Sequence, residues 1–303
     1  MPMEIKEKIL HKIDWKLPER SFKEEEQLIK LDHQVFNELR DFVYHRYGIY
    51  LSDNKKHLLE RRLSKHLQQL KFHSFKEYFT YISQEIHSNE INHLMQAVTV
   101  TETRFFRNPA LLEAIKKVVM PELLENKRKN AEFHIRILSA GCSSGEEPYS
   151  LAMLIDHNFS EELKNFQFKI IGIDINNDAL SNARRGVFSE QTVKPISDPL
   201  LQKYLKKSGH VYSIAEIIRQ SVNFKNMNIL DAEKMRSLGM FDLIFCQNVL
   251  IFFNKTAKEK AIRIFQELLK PGGYLFVGPF ESLYGIEHPF KLVHFVKAMG
   301  YQK

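Results

Sequence analysis

In the second half of the chain, short apolar segments alternate with amphipathic ones, and this alternation restricts the fold more than any other feature of the sequence. Residues 135–138, 168–175 and 241–246 are apolar runs of strand length, and residues 256–269 carry apolar side chains at helical spacing. Strands that alternate with helices form a parallel sheet that is covered by helices on both faces. We therefore predict an α/β domain over residues 131–303.

The first part of the chain has a helical pattern instead. Apolar residues such as Val35, Leu39 and Val43 recur at steps of three and four, which is typical of an amphipathic helix. We predict an all-helical domain with a linker helix over residues 33–130, preceded by a variable leader at residues 1–32. Its helices are expected to be one that ends at Gly48, one that runs from an Asp53 N-cap to about residue 70, and two at residues 75–86 and 89–98.

A third region interrupts the alternation of strands and helices. Residues 191–221 contain Pro195, Pro199 and Gly209, together with a strand-like segment at Val211–Ile214. Proline and glycine at this density are typical of turns and loops between short elements. We interpret this region as an insertion, or small subdomain, within the α/β domain.

The composition excludes several classes of protein. Hydrophobic residues make up 44% of the 303 residues, which argues against a disordered chain. The most apolar stretch, residues 241–253, is interrupted by Asp242 and is shorter than the roughly 20 residues of a membrane span. The start of the chain does not have the pattern of a signal peptide. Because Cys142 and Cys246 are the only cysteines, we expect no disulfide framework, no metal site and a cytoplasmic location.

The turn between the first strand and its helix contains the most informative residues. In segment 139–150, SAGCSSGEEPYS, Gly141 and Gly145 permit a tight turn and the close approach of a ligand to the backbone. A dinucleotide site would require G-x-G-x-x-G, and Glu146 and Glu147 would repel a phosphate at the helix start. These acids suit a ligand that has a positive centre and no phosphate, such as S-adenosylmethionine.

Two other interpretations of this turn stay open at the level of the residues. The segment also matches G-x-S-x-G, so Ser143 could be the nucleophile of a serine hydrolase whose histidine would be His288 or His294. Neither histidine lies in a recognisable strand-end context. The remaining interpretation is a purely structural glycine turn followed by an acidic helix start.

The end of the second predicted strand carries a further acid. Asp174 follows the apolar run at residues 170–173, where such folds hold the two ribose hydroxyls of an adenosyl group. The alternative role for Asp174 is to cap the helix that begins near Asn177. A later strand end, residues 244–248, adds polar groups at the same edge of the sheet.

Taken together, these residues resemble the chemoreceptor glutamate methyltransferases of the CheR type. The turn at residues 139–150 is close to that family's signature, and three further blocks agree in order. The segment TVTETRFFR at 99–107 is similar to the family's T-x-x-x-T-x-F-F-R. The segment IFCQNV at 244–249 is similar to its I-F-C-R-N-V strand, and LKPGG at 269–273 matches its L-K-P-G-G turn. The likeness covers roughly residues 34–303.

The resemblance implies a fold, a reaction and a set of residues. The fold would be a small all-helical domain followed by a Rossmann-like methyltransferase domain, with a small β-subdomain inserted at about 191–221. The reaction would transfer a methyl group from S-adenosylmethionine to glutamate carboxylates of a chemoreceptor, giving S-adenosylhomocysteine without a metal. Arg107 would lie closest to the chemistry and is the predicted catalytic residue. The predicted cofactor-binding residues are Thr101, Thr103, Arg107, Gly141, Glu147, Asp174, Asn228, Ile229, Cys246 and Gln247.

The chain departs from the family pattern at several positions near the predicted reaction centre. The family usually has asparagine at Thr101, arginine at Gln247, tyrosine at Phe252, and His-Ser at Pro279-Phe280. These differences leave a second hypothesis open. The chain would then be a regulatory protein that binds S-adenosylmethionine with weak or no transfer activity, or that uses another acceptor.

The second helix is the predicted acceptor-binding element. Residues 54–76 hold seven basic side chains against one acid, in a chain whose net charge is +7. We assign Lys55, Arg62 and Lys65 to the binding of an acidic helical region of a receptor. The alternative is a solvated charged face. Nucleic acid is not an expected partner, because the aromatic side chains of this region fall at core-like spacing. A monomer without membrane insertion is expected.

Overall fold

Helices form the first part of the described chain. The computed structural model describes residues 28–84, 88–99 and 102–303, so most of the predicted leader and the predicted cofactor residue Thr101 lie outside the described residues. The helices of the first domain are α1 (His33–Tyr47), α2 (Lys56–Gln69), α3 (Phe75–Ser83) and α4 (Ser88–Val98). The four predicted helices are therefore confirmed, with an earlier end for α3.

The ends of α1 follow from its flanking residues. The Asp32 carboxylate accepts a hydrogen bond from the backbone N–H of Val35 at 2.8 Å, and Gly48 ends the helix in the left-handed conformation with φ 71°. The prediction that Asp53 caps α2 is wrong. Asp53 is the first residue of a short 3-10 turn before α2, and its carboxylate accepts a hydrogen bond from Arg40 instead.

A linker helix connects the two domains. It begins as α5 (Pro109–Ala114), continues through a π-helical turn (Ile115–Val119) and ends as α6 (Met120–Lys129). The side chain of its N-cap, Asn108, accepts a hydrogen bond from the backbone N–H of Leu111. Within the described ranges, no helix combines the length and the apolar character needed to cross a bilayer.

The second domain contains ten strands and the remaining helices. The strands are β1 (His134–Ala140), β2 (Gln167–Asp174), β3 (Val187–Ser189), β4 (Leu205–Ser208), β5 (Val211–Ile214), β6 (Val222–Asn226), β7 (Phe241–Cys246), β8 (Leu269–Val277), β9 (Lys291–Phe295) and β10 (Ala298–Gln302). The helices are α7 (Glu146–Asn158), α8 (Asn177–Arg185), α9 (Glu190–Val193), α10 (Asp198–Tyr204), α11 (Glu216–Gln220), α12 (Ala232–Arg236) and α13 (Lys255–Leu268).

Seven of these strands form the main sheet, in the order β6-β2-β1-β7-β8-β10-β9. The first five are parallel, as the alternation of strands and helices predicts. The last two form an antiparallel hairpin at one edge, which the sequence analysis did not predict. The sheet is therefore mixed, with a parallel centre.

The path of the chain through the sheet reverses at β1. The strand β2 pairs with one side of β1 and β7 pairs with the other, so the loops that follow these three strands meet at one edge. Ligands of open α/β sheets bind at such a reversal. Gly141, Asp174 and Gln247, which sequence analysis assigns to the cofactor, lie at these strand ends.

The insertion forms a second, antiparallel sheet in the order β3-β5-β4. The strand β5 coincides with the strand-like segment identified in the sequence. The strand β3 starts at Val187, before the position at which the insertion was expected to begin, because α8 ends at Gly186 with φ 62° and the chain enters β3 directly. The domain boundaries themselves stay a prediction.

Both faces of the main sheet are covered. The helical domain packs on one face, where its buried residues share an apolar cluster with side chains such as Ile244 and Phe265. An antiparallel bridge between Ile49 and Phe253 joins the two domains. On the other face, the linker helix, α7 and the small sheet share a second apolar cluster. The helical domain is thus fixed beside the loops at the carboxyl ends of the strands.

Candidate active site

The turn after β1 is held against two neighbouring strands. The backbone N–H groups of Gly141 and Cys142 both donate to the Ile173 carbonyl of β2, at 2.8 and 2.9 Å. Gly141 has φ 80°, and a Cβ atom on it would lie 2.3 Å from Cγ2 of Val249 in the loop after β7. Glycine is therefore required here both by the backbone conformation and by the close packing.

The Asp174 carboxylate at the end of β2 is bound to this turn. Its Oδ2 accepts the N–H of Ser143 and its Oδ1 accepts the N–H of Asn176, each at 2.8 Å. Burial raises the pKa of Asp174, and the backbone hydrogen bonds oppose the rise. The cap of α8 is Asn176, so the interpretation of Asp174 as that cap is wrong. A carboxylate offers about four acceptor sites, more than these backbone donors use.

Glu147, in the first turn of α7, is held from two sides. Ser139 Oγ donates to its Oε1 and Gln247 Nε2 donates to its Oε2, both at 2.6 Å. Burial raises the pKa of Glu147, while these hydrogen bonds and the positive charge of Arg107 oppose the rise. The carboxylate thus joins the ends of β1 and β7 to α7, within electrostatic reach of the predicted catalytic arginine.

The neighbouring acid, Glu146, has different surroundings. Both of its carboxylate oxygens accept hydrogen bonds from Ser144 Oγ, at 3.0 and 2.8 Å, and the residue is only 4% exposed. Burial raises the pKa of Glu146. A purely structural role for the acidic helix start therefore fits Glu146, whose contacts lie within the turn, better than it fits Glu147.

The segment that leads into the linker helix forms another wall. Phe106 adopts φ 52°, and its backbone N–H donates to Ser150 Oγ of α7 at 2.9 Å. The side chain of Arg107 is exposed, and its Nη1 donates to the Glu102 carbonyl at 3.1 Å. Thr103 is half-buried in the same segment. These contacts hold Arg107 on a short ordered segment beside α7.

A cavity of about 350 Å³ lies between this segment and the insertion. Phe106 and Arg107 line one side, and Pro195 and Leu200 line the other. Because Pro195, Ser197 and Leu200 of the insertion line part of this cavity, the insertion contributes to the space in front of the predicted catalytic residue.

Three predicted cofactor residues use their side chains for packing or for domain contacts. Ile229 and Cys246 are buried, and burial raises the pKa of the Cys246 thiol. Asn228 donates from Nδ2 to the Arg46 carbonyl of α1 at 3.0 Å and accepts the N–H of Leu230 at Oδ1. The structure thus places Asn228 at the junction of the two domains.

The serine hydrolase interpretation is wrong, because neither candidate histidine lies close enough to Ser143. His294 lies on β9, four strands away from β1, which corresponds to about 19 Å at the usual strand spacing. The ring of His288 packs on Tyr301 of β10, three strands from β1. Neither predicted histidine can act as the base for Ser143, which follows β1.

Comparisons with known proteins agree with this geometry. A family model described as "CheR methyltransferase, SAM binding domain" matches residues 101–299, and one described as "CheR methyltransferase, all-alpha domain" matches residues 34–99. The chain belongs to the CheR methyltransferase family. It is a methyltransferase that depends on S-adenosylmethionine, which confirms the fold class and the cofactor predicted from the sequence.

Curated relatives match over most of their length. The chain is 34% identical to chemotaxis protein methyltransferase 2 of Vibrio cholerae, over 88% of this chain and 92% of that protein. It is 33% identical to the chemotaxis protein methyltransferase of Borreliella burgdorferi, over 85% and 91%, and 31% identical to that of Escherichia coli, over 87% and 90%. Neither the hydrolase nor the binding protein without transfer activity is favoured by these matches.

The carboxylates of this CheR-family site fit S-adenosylmethionine. The Asp174 carboxylate can accept hydrogen bonds from ribose hydroxyls, and the anionic Glu147 can attract the positive amino group and sulfonium. The assignment of each residue to one part of the cofactor stays a prediction.

Glu281, which was not among the predicted site residues, is a buried acid that organises the same edge of the sheet. Its Oε2 accepts the N–H groups of Gly278 and Asn248, both at 2.7 Å, and its Oε1 accepts the N–H of Ile251 at 3.1 Å. Burial raises the pKa of Glu281, opposed by these hydrogen bonds. Asn248, which has φ 59°, directly follows Gln247, so Glu281 fixes the loop from which Gln247 reaches Glu147. The available signal was an acid in the loop that follows the apolar strand β8, four residues after the strand ends.

The predicted acceptor-binding residues have unequal surroundings. Arg62 is half-buried, and its Nη1 donates to the carbonyls of Ala97 and Thr99, at 2.8 and 3.0 Å. Lys55 is half-buried, and its burial together with the positive charge of Arg62 lowers its pKa. The side chain of Lys65 is exposed. Arg62 is therefore held at the end of α4, and its part in acceptor binding stays a prediction.

Of the positions that depart from the family pattern, those after Thr101 lie within the described residues. Gln247 accepts a hydrogen bond from Asn108 Nδ2 at 3.4 Å in addition to its bond to Glu147. Phe252 is half-buried beside the bridge between the domains, and Phe280 is 80% exposed. Gln247 thus donates a hydrogen bond to Glu147 but does not bring the positive charge that the family's arginine would have at this position.

Proposed function

We propose that this chain transfers the methyl group of S-adenosylmethionine to glutamate side chains of a chemoreceptor, producing glutamate methyl esters. The supporting observation is that Asp174, Glu147 and the segment of Arg107 lie around one edge of the sheet, in a chain of the CheR methyltransferase family. Several curated relatives are named chemotaxis protein methyltransferases. The reaction belongs in the cytoplasm, where Cys142 and Cys246 stay reduced.

The acceptor carboxylate needs no general base. A glutamate side chain has a pKa of about 4.3, so it is ionised at neutral pH and is already nucleophilic. The cofactor supplies a methyl group on a positively charged sulfur. The tasks of the protein are to align the two reactants and to exclude water, and good alignment is worth roughly 7–11 kcal/mol.

Arg107 is the residue that we assign to carboxylate positioning. It lines the 350 Å³ cavity and lies within electrostatic reach of Glu147. A guanidinium binds a carboxylate through two parallel hydrogen bonds, which fixes its orientation. The carboxylate it holds is that of the acceptor glutamate or that of the cofactor.

The acceptor is expected to dock on α2. One basic residue of this helix begins a path of contacts to the cofactor edge, because Arg62 donates to the Thr99 carbonyl and Thr99 Oγ1 accepts a hydrogen bond from Asn176. Asn176 in turn donates its backbone N–H to Asp174. An acidic helical region of a receptor that binds Lys55, Arg62 and Lys65 would therefore lie near the methyl donor. The oligomeric state that we propose is a monomer.

The proposed reaction is tested by transfer of radiolabelled methyl groups to a receptor cytoplasmic fragment. Label is expected in the receptor, and alkali should release it as methanol because a methyl ester is base-labile. The matched control is the same fragment with its candidate glutamates replaced by glutamine. Label that is alkali-stable, or that appears equally in the control fragment, would show that glutamate carboxylates are not the acceptor.

Arg107→Ala separates the two roles of Arg107. If the guanidinium holds the acceptor, the KM for the receptor fragment rises by about 100-fold while the affinity for S-adenosylmethionine is unchanged. If it holds the cofactor, that affinity falls instead. The control is Arg185→Ala on α8, which removes an exposed arginine away from the cavity. Unchanged cofactor affinity together with an unchanged KM for the receptor fragment in Arg107→Ala would contradict both roles.

A further inference from the structure

Three side chains with metal-binding atoms meet between α2 and α4 in the helical domain. Nε2 of His66, on α2, lies 2.7 Å from Oε2 of Glu90, on α4, and the ring centroids of His66 and His93 are 4.1 Å apart. The possible ligand atoms of all three residues lie within 4.8 Å of one another. The proposed methyl transfer uses none of them.

The arrangement of the three residues on their helices suits a single ion. Glu90 and His93 are three residues apart, so they lie on the same face of α4, and His66 faces them from α2. In a tetrahedral zinc site with bonds of about 2.0–2.2 Å, neighbouring ligand atoms are about 3.3 Å apart. The separation of the His66 and Glu90 ligand atoms is 2.7 Å and no pair in the group is more than 4.8 Å apart, so the three atoms lie close enough for one ion to bind once the side chains adjust.

The chemistry of the set points to zinc. Two imidazoles and one carboxylate form a ligand set that zinc adopts when it leaves a fourth position for water. All three residues are partly buried, with His66 19% and Glu90 13% exposed at the side chain, which limits competition from solvent. A hydrogen bond between His66 and Glu90 alone would explain only two of the three groups.

A neighbouring tyrosine holds the site in place. The Tyr78 ring packs edge-on against His66, and its hydroxyl donates to the backbone carbonyl of Glu90 at 3.3 Å. Tyr78 is buried in α3. Tyr78 therefore restricts the position of the His66 ring and of the backbone at Glu90.

We propose that His66, Glu90 and His93 form a zinc-binding site that joins α2 to α4. Arg62 lies one helical turn before His66 on α2, and Ala97 lies one turn after His93 on α4. The zinc site and the hydrogen bond from Arg62 to Ala97 are therefore successive contacts of one helix interface. A bound ion would fix the spacing of that interface.

The proposal is tested by zinc binding to the full-length, untagged chain after treatment with a chelator. Calorimetric titration with Zn²⁺ should show one ion bound per chain at this site. His93→Gln should weaken binding by about 100-fold or more, because the loss of a mere hydrogen-bond partner of a ligand already costs 10–100-fold. His57→Gln, which removes an exposed histidine from the same helix as His66, is the matched control and should keep the affinity of the unaltered chain.

Two further measurements keep the test decisive. Glu90→Gln retains the size of the side chain and should also weaken zinc binding, with helical content and S-adenosylmethionine binding unchanged in both variants. Co²⁺ in the site should show the strong visible absorption of a four- or five-coordinate ion. The proposal is overturned if Zn²⁺ binds no more tightly than millimolar, or if His93→Gln and His57→Gln bind it equally well.

Discussion

The edge of the main sheet and the face of α2 hold their charges in different ways. At the sheet edge, Asp174 and Glu147 are surrounded by hydrogen-bond donors from the backbone and from side chains of neighbouring loops. On α2, Lys65 is exposed and Arg62 is only half-buried. Fixed, buried charges suit a small ligand of constant shape, whereas exposed charges suit a large partner that is attracted over a distance.

The same contrast applies to the backbone. The turn after β1 has left-handed residues at Gly141, Ser143 and Gly145, and hydrogen bonds tie it to β2. The helix α2 is regular, and its ends carry no side-chain cap. Substitutions at the turn should therefore alter stability and cofactor affinity together, whereas substitutions on the face of α2 should alter acceptor binding alone.

The largest expected effect is that of Gly141→Ala. The left-handed backbone and the 2.3 Å approach of a Cβ to Val249 should destabilise the fold by about 3 kcal/mol, and cofactor affinity should fall with it. Gly285→Ala is the control, because Gly285 has a similar φ of 76° with nothing within 4 Å of its Cβ position, and should cost about 1 kcal/mol. Denaturant unfolding measures both. Equal losses would show that the contact with Val249 contributes nothing.

Asp174→Asn should weaken S-adenosylmethionine binding by about 100-fold, because a neutral amide accepts hydrogen bonds less strongly than a carboxylate and has one oxygen instead of two. S-adenosylhomocysteine should be affected to a similar extent, since both contain the ribose. Asp178→Asn, an exposed acid in the first turn of α8, is the control. Calorimetric titration gives the affinities. An unchanged affinity in Asp174→Asn would remove Asp174 from the cofactor site.

Charge reversal on α2 should have a smaller effect, on acceptor binding alone. Lys65→Glu is expected to raise the KM for a receptor fragment by about tenfold at low ionic strength, with cofactor affinity unchanged. The difference should shrink as salt is added, because exposed charges are screened. Lys169→Glu makes the same charge change on β2. Equal KM values for the two variants at every salt concentration would contradict the proposed role of α2 in acceptor docking.

The smallest effect concerns pH and tests the charge balance at the sheet edge. Only the ionised Glu147 attracts a cation, so cofactor affinity should fall as pH drops through the pKa of Glu147, which burial raises above the usual value of 4.5. Gln247→Arg adds a positive charge beside the carboxylate and lowers that pKa, so the fall should move to lower pH. At a pH well above the fall in both profiles, the two affinities should differ by less than about threefold.

The control for this pH profile is Gln220→Arg, which adds the same charge at an exposed position on α11. Its affinity should follow the profile of the unaltered chain. If Gln247→Arg also left the profile in place, Glu147 would not be the group that titrates with cofactor binding.

The sequence allowed the cofactor edge to be predicted because its residues follow strands. Once β1, β2 and β7 are recognised as parallel neighbours, their ends must meet, and Gly141, Asp174 and Gln247 come together without further information. The helical domain was predictable for a similar reason, since its apolar residues recur at helical spacing.

What could not be predicted depends on contacts between residues far apart in the chain. The Glu281 carboxylate accepts hydrogen bonds from the backbone N–H group of Gly278, three residues earlier, and from those of Asn248 and Ile251, at least 30 residues earlier. His66 and Glu90 meet only because α2 packs on α4. Asp53 does not cap α2, because it lies in the 3-10 turn before this helix and its carboxylate binds Arg40 of another helix. Local patterns do not specify such pairings.

The short chain of contacts from Arg62 through Thr99 and Asn176 to Asp174 has a thermodynamic consequence. Two ligands that order the same residues share the entropic cost of that ordering. Each ligand then changes the affinity for the other by the same factor. If bound S-adenosylmethionine raises the affinity for the receptor, bound receptor must raise the affinity for S-adenosylmethionine by the same factor. The demethylated cofactor, held by the same residues, would then retain the modified receptor until one of the two products leaves.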